Sequence, residues 1–340
     1  LVLLLVWAML SAFRVALLAQ FERRLFARLT AEITMRAVHA QNPFFVDARR
    51  GDLFNRFFDM VVVQKSLTSL LIAGFTIVLQ SLVGLIVTSF YHPFFLAFNA
   101  VLVLLVVTIW RVWANASLKS TVAKSHAKHA TAHWLGSVGG SNGIYKSSRH
   151  MQFAIDRTEA VTATYIAAHR RHFRHTFGQT IALLTLYAFA SSGLLAMGGW
   201  LILQGELSIG QLVAAELILS SVFYGVAQLG TYLEVFYDLA ASLEELSLFW
   251  DVKLEPTPDG EGPTPPDGAI RLRDVAHDGH RFDFALGSGE QVGVLAAAGV
   301  ERNLASLLKR LSVPETGIVT VGGADLGMFD MYRLRSDVIV

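Results

Sequence analysis

The sequence contains no cysteine. It therefore has no disulfide framework, no thiolate metal site and no cysteine nucleophile. Charged residues are also scarce: they form 16% of the 340 residues, against about 25% in ordinary soluble domains, whereas hydrophobic residues form 53%. The net charge of +1 argues against a nucleic-acid-binding protein, because 28 Lys and Arg nearly balance 27 Asp and Glu.

The hydrophobic residues are concentrated in runs that carry few or no charges. A helix of about 20 such residues spans a hydrocarbon core of about 30 Å. Five runs approach or exceed this length. They predict a polytopic α-helical membrane protein that is embedded in its partner, the lipid bilayer. The five runs cover residues 1–18, 67–90, 94–113, 180–203 and 209–236.

Basic residues are absent from two short turns, 91–93 and 204–208, and frequent in the long segments between the first and second runs and between the third and fourth. The positive-inside rule places the long segments in the cytoplasm and the turns outside. This pattern predicts an integral membrane protein with a cytoplasmic soluble domain. We expect its membrane to be the bacterial inner membrane. It also implies a further span before Leu1. Few glycines or prolines precede 138–148, so the long segments are predicted to be helices that continue out of the bilayer.

Prolines are concentrated in one stretch: five of the eight lie between 256 and 266. We interpret 251–269 as a linker between a membrane domain, 1–250, and a soluble domain, 270–340. Alternating apolar residues predict a strand at 269–275, and a short apolar run predicts a buried strand at 292–295.

A strand, a loop of small residues and a helix are predicted in succession from 292 to 311. This layout resembles the phosphate-binding loop G-x-x-x-x-G-K-[ST] of the ATP-binding cassette. Downstream, the stretch 314–326, PETGIVTVGGADL, is similar to the P-x-x-G-x-i-x-i-x-G-x-D-l stretch of the same cassette. The run 333–335, RLR, resembles the LR run ahead of its Q-loop.

The membrane part carries an independent resemblance. Phe44 and Phe45, followed by GDLFNR at 51–56 and by Asp59, resemble the FF…GDL-x-x-R-x-x-D segment in the first intracellular loop of ABC exporters. The stretch 205–213, GELSIGQLV, is similar to the external turn that leads into their sixth helix. The resemblance covers nearly the whole chain, with its segments in the order of the family.

The resemblance implies a mainly α fold: polytopic membrane helices of the ABC exporter type with long cytoplasmic helical extensions, followed by the start of an α/β P-loop nucleotide-binding domain. It implies a half-transporter of six membrane helices, the first missing here, that works as a homodimer or heterodimer with a second half-transporter. ATP and Mg²⁺ are the cofactors of the intact family. Its later hydrolytic motifs would lie beyond Val340.

The phosphate-binding loop departs from the family pattern. Ala296 stands at the first glycine position, although the loop needs glycines to turn successive N–H groups toward phosphate. Glu301 precedes the lysine position and brings a carboxylate close to the phosphates, and Leu304 offers no oxygen to Mg²⁺. These departures put ATP binding by this chain in doubt. The candidate nucleotide-binding residues are Ala296, Gly299, Arg302 and Asn303.

The resemblance also implies coupling and substrate-path residues. Short coupling helices at the loop tips would fall near 44–51 and 138–146, and the candidate residues there are Phe45, Gly51, Gly143 and Lys146. The last membrane helix would line the substrate path through Gln211, Glu216 and Gln228. The alternative for Glu216 is a hydrogen bond between helices, since a carboxylate at the bilayer centre costs about 2.5–3.5 kcal/mol.

Two histidine clusters suggest a rival enzyme class, the membrane-bound di-iron desaturases. The clusters are His126, His129 and His133, and His169, His172 and His175. Lysines and arginines surround both and would repel a metal dication. We therefore interpret them as faces of solvated helices and predict no metal site.

Two hypotheses follow for function. The first is the transmembrane subunit of an ATP-driven ABC exporter that moves a substrate out of the cytoplasm by alternating access. The second is a catalytically silent subunit that supplies membrane helices and a docking platform to an active partner, and the degenerate loop favours it.

Overall fold

The computed structural model describes residues 1–41, 52–255 and 265–337. The chain divides into two compact units. The first contains residues 1–32 and 52–250, and the second contains residues 33–51 and 251–340. The boundary at 250 coincides with the start of the predicted linker, of which residues 256–264 lie outside the described residues.

Long helices dominate the first unit. The last residues of its first helix, 33–38, belong to the second unit. They are α1 (Val2–Val38), α2 (Asp59–Ser69), α3 (Phe75–Ser89), α4 (Pro93–Gly140), α5 (Ser148–Leu203) and α6 (Ile209–Ser247). A 3₁₀ helix, Asp52–Phe58, precedes α2, and a π-helical turn, Leu70–Gly74, joins α2 to α3 without a break. Another 3₁₀ turn, Ile144–Lys146, lies between α4 and α5.

Five helical segments within the described residues are long and apolar enough to cross a membrane. Each overlaps one of the five apolar runs found in the sequence. The helices extend well beyond those runs, since α4 and α5 contain 48 and 56 residues, where about 20 suffice to cross a bilayer. The predicted helical extensions are therefore confirmed.

Local signals in the sequence set the helix starts. The His92 ring accepts a hydrogen bond from the Phe94 N–H, and Pro93 occupies the first turn of α4, where a missing N–H costs nothing. Ser208 and Gln211 form a capping box at the start of α6. Such caps satisfy backbone donors that no helical carbonyl reaches.

The apolar core of the first unit lies between α3, α4, α5 and α6. Its largest fully buried side chains include Phe95, Phe223 and Leu194. Small residues allow the helices to approach closely: a Cβ added at Gly225 would lie 2.9 Å from Ile77, and one added at Gly230 would lie 2.7 Å from the Thr180 hydroxyl. Close approach of this kind is typical of helix packing in membranes.

The second unit contains a small antiparallel sheet in the order β2-β1-β3-β4. The strands are β1 (Ile270–His277), β2 (His280–Leu286), β3 (Thr316–Val321) and β4 (Ala324–Asp325), and the helices are α7 (Val300–Leu308) and α8 (Met331–Asp337). Leu272, Val275 and Val319 of the sheet pack with Leu307 of α7 and Leu334 of α8. The alternation at 269–275 thus correctly predicts β1.

The strand predicted at 292–295 is not formed, so this prediction was wrong. Residues 290–297 have no regular structure, and the side chains of Val292, Val294 and Leu295 are exposed. An apolar run folds as a buried strand only where neighbouring strands satisfy its backbone groups. Among the described residues, the sheet pairs β1 with β2 and β3 and leaves this run without a neighbour.

Candidate functional site

Ion pairs connect α2, α4 and α6 in the segments flanking the apolar runs. The Asp59 carboxylate, 2% exposed, begins α2 and contacts two residues of α4: its Oδ1 lies 2.6 Å from Lys128 Nζ, and its Oδ2 lies 2.5 Å from His129 Nε2. On the neighbouring face Lys124 Nζ lies 3.1 Å from Asp238 Oδ1 of α6.

The electrostatics of Asp59 follow from this geometry. Burial raises the pKa of its carboxyl, but hydrogen bonds from His129 and Lys128 and their positive charge outweigh burial. The pKa of Asp59 is therefore lowered below its ordinary value. The carboxylate stays charged and holds α4 against the start of α2.

A second buried carboxylate also pairs with basic side chains. Glu245 of α6 is 1% exposed, and its Oε2 lies 2.6 Å from Nη1 of Arg56. Its Oε1 lies 3.6 Å from His126 Nε2. Arg56 and Asp59 stand at the Arg and Asp positions of the GDL-x-x-R-x-x-D pattern. Arg56 binds Glu245 of α6, and Asp59 binds two residues of α4.

The histidine clusters do not converge. His126 faces Glu245, His129 faces Asp59, and the ring of His169 packs against Tyr165. His172 is buried, and its Nδ1 lies 3.1 Å from the Thr121 hydroxyl oxygen. No group of three His, Cys, Asp or Glu side chains able to hold a metal ion occurs in the described part of the chain.

The three predicted substrate-path residues lie on different faces of α6. At about 100° per residue, Glu216 and Gln228 lie about 140° and 260° around the helix from Gln211. The Gln211 side chain accepts the Ser208 N–H in the capping box, 2.9 Å away, and Glu216 accepts a hydrogen bond from the Ser220 hydroxyl at 3.3 Å. The structure therefore does not bring these residues together.

An apolar cavity of about 290 Å³ lies between α3, α4 and α6. Its lining includes Ile77, Leu102, Val222 and Leu229. The lining side chains are almost entirely hydrophobic, unlike the polar contacts predicted from Gln211, Glu216 and Gln228.

The degenerate loop places Gly299 at the start of α7 with φ of 100°, in the left-handed region that favours glycine. The Glu301 carboxylate accepts the Gly299 N–H at 2.9 Å. A backbone donor at the helix N-terminus, the kind of group that binds phosphate, is thus occupied by the chain's own carboxylate.

Among the residues that the structure describes, no hydrogen bond or ion pair joins the side chains of the other predicted loop residues to one another. Ala296 and Arg302 are exposed. Asn303 donates a hydrogen bond from its side-chain amide to the Asp278 carboxylate, 3.1 Å away.

Of the predicted coupling residues, Gly143 and Lys146 lie at the α4–α5 turn, and Phe45 and Gly51 lie outside the described residues. Trp134 of α4 contacts two aromatic rings edge to face. These are Tyr145 of the turn and Phe153 of α5, with ring centroids 6.0 and 6.2 Å away.

Comparison with solved structures decides the fold. The chain is similar to a structure described as a bacterial Atm1-family ABC exporter with ATP bound, at a TM-score of 0.78 and 15% identity, over 97% of this chain and 60% of that one. The chain has the ABC exporter fold. The mainly α architecture of the ABC exporter type, predicted from the resemblance, is confirmed, and the C-terminal part contains a small antiparallel sheet.

Sequence comparison with curated proteins finds relatives that are named as translocation proteins. The leukotoxin translocation ATP-binding protein LktB of Mannheimia glucosida is 24% identical over 97% of the chain and 48% of its own length. The alpha-hemolysin translocation ATP-binding protein HlyB of Escherichia coli O157:H7 is 28% identical over 42% of the chain and 21% of its own length. No family model matches the chain.

These relatives confirm the resemblance to ABC exporters that was inferred from the sequence. Together with five candidate spans, they identify an integral membrane protein. The chain spans about half the length of curated relatives such as LktB.

Proposed function

We propose that this chain is the transmembrane subunit of an ABC exporter that moves a substrate out of the cytoplasm by alternating access. The observation that carries the proposal is the continuous match over 97% of the chain to an ABC exporter structure and to a toxin translocation protein. The subunit acts with a second half-transporter, as a homodimer or a heterodimer. Domain boundaries at 250 and 270, with the sheet as the beginning of the nucleotide-binding domain, belong to the same proposal.

A silent subunit is the second candidate, and one contact favours it. The Glu301 carboxylate occupies the Gly299 N–H, and a negative charge there repels phosphate. In the silent-subunit candidate, the partner half-transporter binds ATP and Mg²⁺. Ala296, Gly299, Arg302 and Asn303 then remain only as the remnant of a nucleotide loop.

Topology provides a direct test of the proposal. Because the chain has no cysteine, single substitutions Gln204→Cys and Lys146→Cys give unambiguous labelling sites. Gln204 is exposed in the turn predicted to be external, and Lys146 lies in the turn predicted to be cytoplasmic. We expect a membrane-impermeant maleimide to label only Gln204→Cys in intact cells and both sites after permeabilisation. Labelling of Lys146→Cys in intact cells would contradict the exporter orientation.

ATP hydrolysis separates the two candidates. The full-length protein, purified alone and then together with a candidate partner half-transporter, is assayed for ATPase activity. The silent-subunit candidate predicts activity only with the partner, at a rate that survives Arg302→Ala in this chain. Robust hydrolysis by the protein alone, lost in Arg302→Ala, would contradict it and leave the active exporter subunit.

A further inference from the structure

Within the second unit, two chain segments pair as a short antiparallel ladder. Residues 39–41 follow directly after α1, and residues 253–255 follow α6 after a short turn. The Gln41 N–H donates to the Lys253 carbonyl at 2.9 Å, and the Glu255 N–H donates to the His39 carbonyl at 2.8 Å. Ala40 and Leu254 form the bridge between these two bonds. We call these two segments the strand pair.

A buried fork of hydrogen bonds joins the strand pair to α8. The side chain of Glu255 is 5% exposed, and both of its carboxylate oxygens are bound by Arg335 of α8. Arg335 Nη1 lies 2.9 Å from Oε2, and Nη2 lies 2.7 Å from Oε1. A two-bond contact of this kind fixes orientation as well as charge, which the single ammonium of a lysine does not do.

Arg335 also reaches the end of α7. Its Nε donates to the Lys309 carbonyl and its Nη2 to the Arg310 carbonyl, each at 3.0 Å. One turn earlier on α8, the ring of Tyr332 meets His39 edge to face, with centroids 5.5 Å apart. One arginine therefore donates hydrogen bonds to carbonyls at the end of α7 that have no donor within the helix, and also to a carboxylate of the strand pair.

A neighbouring face of α8 packs against the sheet. Leu334, 4% exposed, packs in the apolar core with β1 and β3. Adjacent residues of α8 thus divide their contacts, since Leu334 holds the helix to the sheet and Arg335 holds it to the strand pair. Arg335 lies in the RLR run at 333–335, which the resemblance places ahead of the Q-loop.

We propose that Arg335 is a positioning residue that holds the strand pair closed and so fastens α8 to the chain at the points where it leaves α1 and α6. The proposal rests on the exporter function proposed above. A displacement of α8 is then passed along the chain to the ends of both membrane helices together, because the 39–41 and 253–255 segments move as one. This link is separate from the loop-tip coupling residues predicted from the sequence.

A cysteine pair measures whether the strand pair is closed. The hydrogen bonds are made by the neighbours of Ala40 and Leu254, so these two form a non-hydrogen-bonded pair, in which Cα atoms lie about 4.5 Å apart. A disulfide accepts Cα separations of about 4.4–6.8 Å. Ala40→Cys/Leu254→Cys in the cysteine-free chain therefore reports pairing through its rate of oxidative cross-linking.

A second pair reports whether the sheet is folded. Ile270 and Val321 are partners across β1 and β3, and the neighbouring Gly322 N–H donates to the Ala269 carbonyl, so the same geometry applies. Ile270→Cys/Val321→Cys is the folding control. Arg333→Gln is the matched charge control, since Arg333 is exposed on the same helix two residues from Arg335.

The experiment uses the full-length protein in native membranes, oxidised by copper phenanthroline without nucleotide or substrate. We expect Arg335→Gln and Glu255→Gln each to slow cross-linking of the 40/254 pair by at least about tenfold. The first leaves the buried Glu255 carboxylate without its partner, and the second leaves the half-buried Arg335 without its partner. The same variants should leave the 270/321 pair at its original rate. Arg333→Gln should change neither pair.

Three results would overturn the proposal. The first is an unchanged cross-linking rate of the 40/254 pair in Arg335→Gln. The second is an equal slowing of that rate in Arg333→Gln. The third is an equal slowing of both cysteine pairs, which would make Arg335 a general stabiliser of the folded unit. Because the assay contains no ATP or substrate, its outcome is independent of the labelling and hydrolysis tests of the exporter function.

Discussion

Replacing Arg56 by alanine is expected to lower the free energy of unfolding by about 3–5 kcal/mol, the usual cost of removing one partner from a buried ion pair. The reason is the burial of Glu245: its carboxylate is 1% exposed, and Arg56 Nη1 is its nearest cation at 2.6 Å. Without Arg56, His126 Nε2 remains 3.6 Å from that carboxylate. The measurement is denaturant or thermal unfolding of the purified protein in detergent micelles.

Two further variants serve as controls for this measurement. Arg157→Ala removes an exposed arginine of α5 and is expected to change stability by no more than about 0.5 kcal/mol. The double variant Arg56→Ala/Glu245→Ala should recover part of the loss, because it removes the buried charge together with its partner. A cost in Arg56→Ala no greater than that of Arg157→Ala would show that the pair does not stabilise the fold.

Acidification is expected to destabilise the protein through His172. Burial lowers the pKa of its imidazole to about 4, and repulsion from Lys124, His169 and His175 adds to this effect, whereas Asp238 opposes it. In the unfolded chain a histidine has a pKa of about 6.5. Between these two values the unfolded chain binds a proton that the folded chain does not bind, so stability falls as the pH falls.

The size of this effect follows from the two pKa values. The loss accumulates from about pH 6.5 to about pH 4 and reaches roughly 3 kcal/mol, after which the folded chain is protonated too and His172 adds no further loss. Unfolding measured at several pH values in this window checks the prediction. His172→Gln should flatten the profile, and His150→Gln, an exposed histidine of the same helix, should leave it unchanged. A profile as steep in His172→Gln as in the original protein would assign the pH dependence to other groups.

Much of the fold was predictable because its signals are local. Apolar runs of about membrane thickness predicted the five spans, and turn and capping residues such as Ser208 marked where helices begin. The long helical extensions followed from the scarcity of glycine and proline. The run at 292–295 was not predictable in this way, because an apolar segment becomes a strand only when a neighbour pairs with it.

The candidate site was predicted less well. Glu216 was correctly noticed as a charged residue in an apolar helix, but its hydrogen bond goes to Ser220 on the same helix, and the three path residues point in different directions. The ion pairs of Asp59 and Glu245 were missed, although the motif that contains Arg56 and Asp59 was recognised. The histidine clusters were interpreted as solvated helix faces, but His172 is buried. Sequence alone gave no sign that Asp59 and Glu245 were buried as well.

The sequence by itself determined the membrane class and the number of candidate spans within the described residues. These properties depend on the polarity of contiguous residues and on the fixed rise of a helix. Only the tertiary structure decided which charges meet. Arg56 and Glu245 are 189 residues apart, and Glu255 and Arg335 are 80 apart, so each pair exists only because helices or strands distant in the sequence pack side by side.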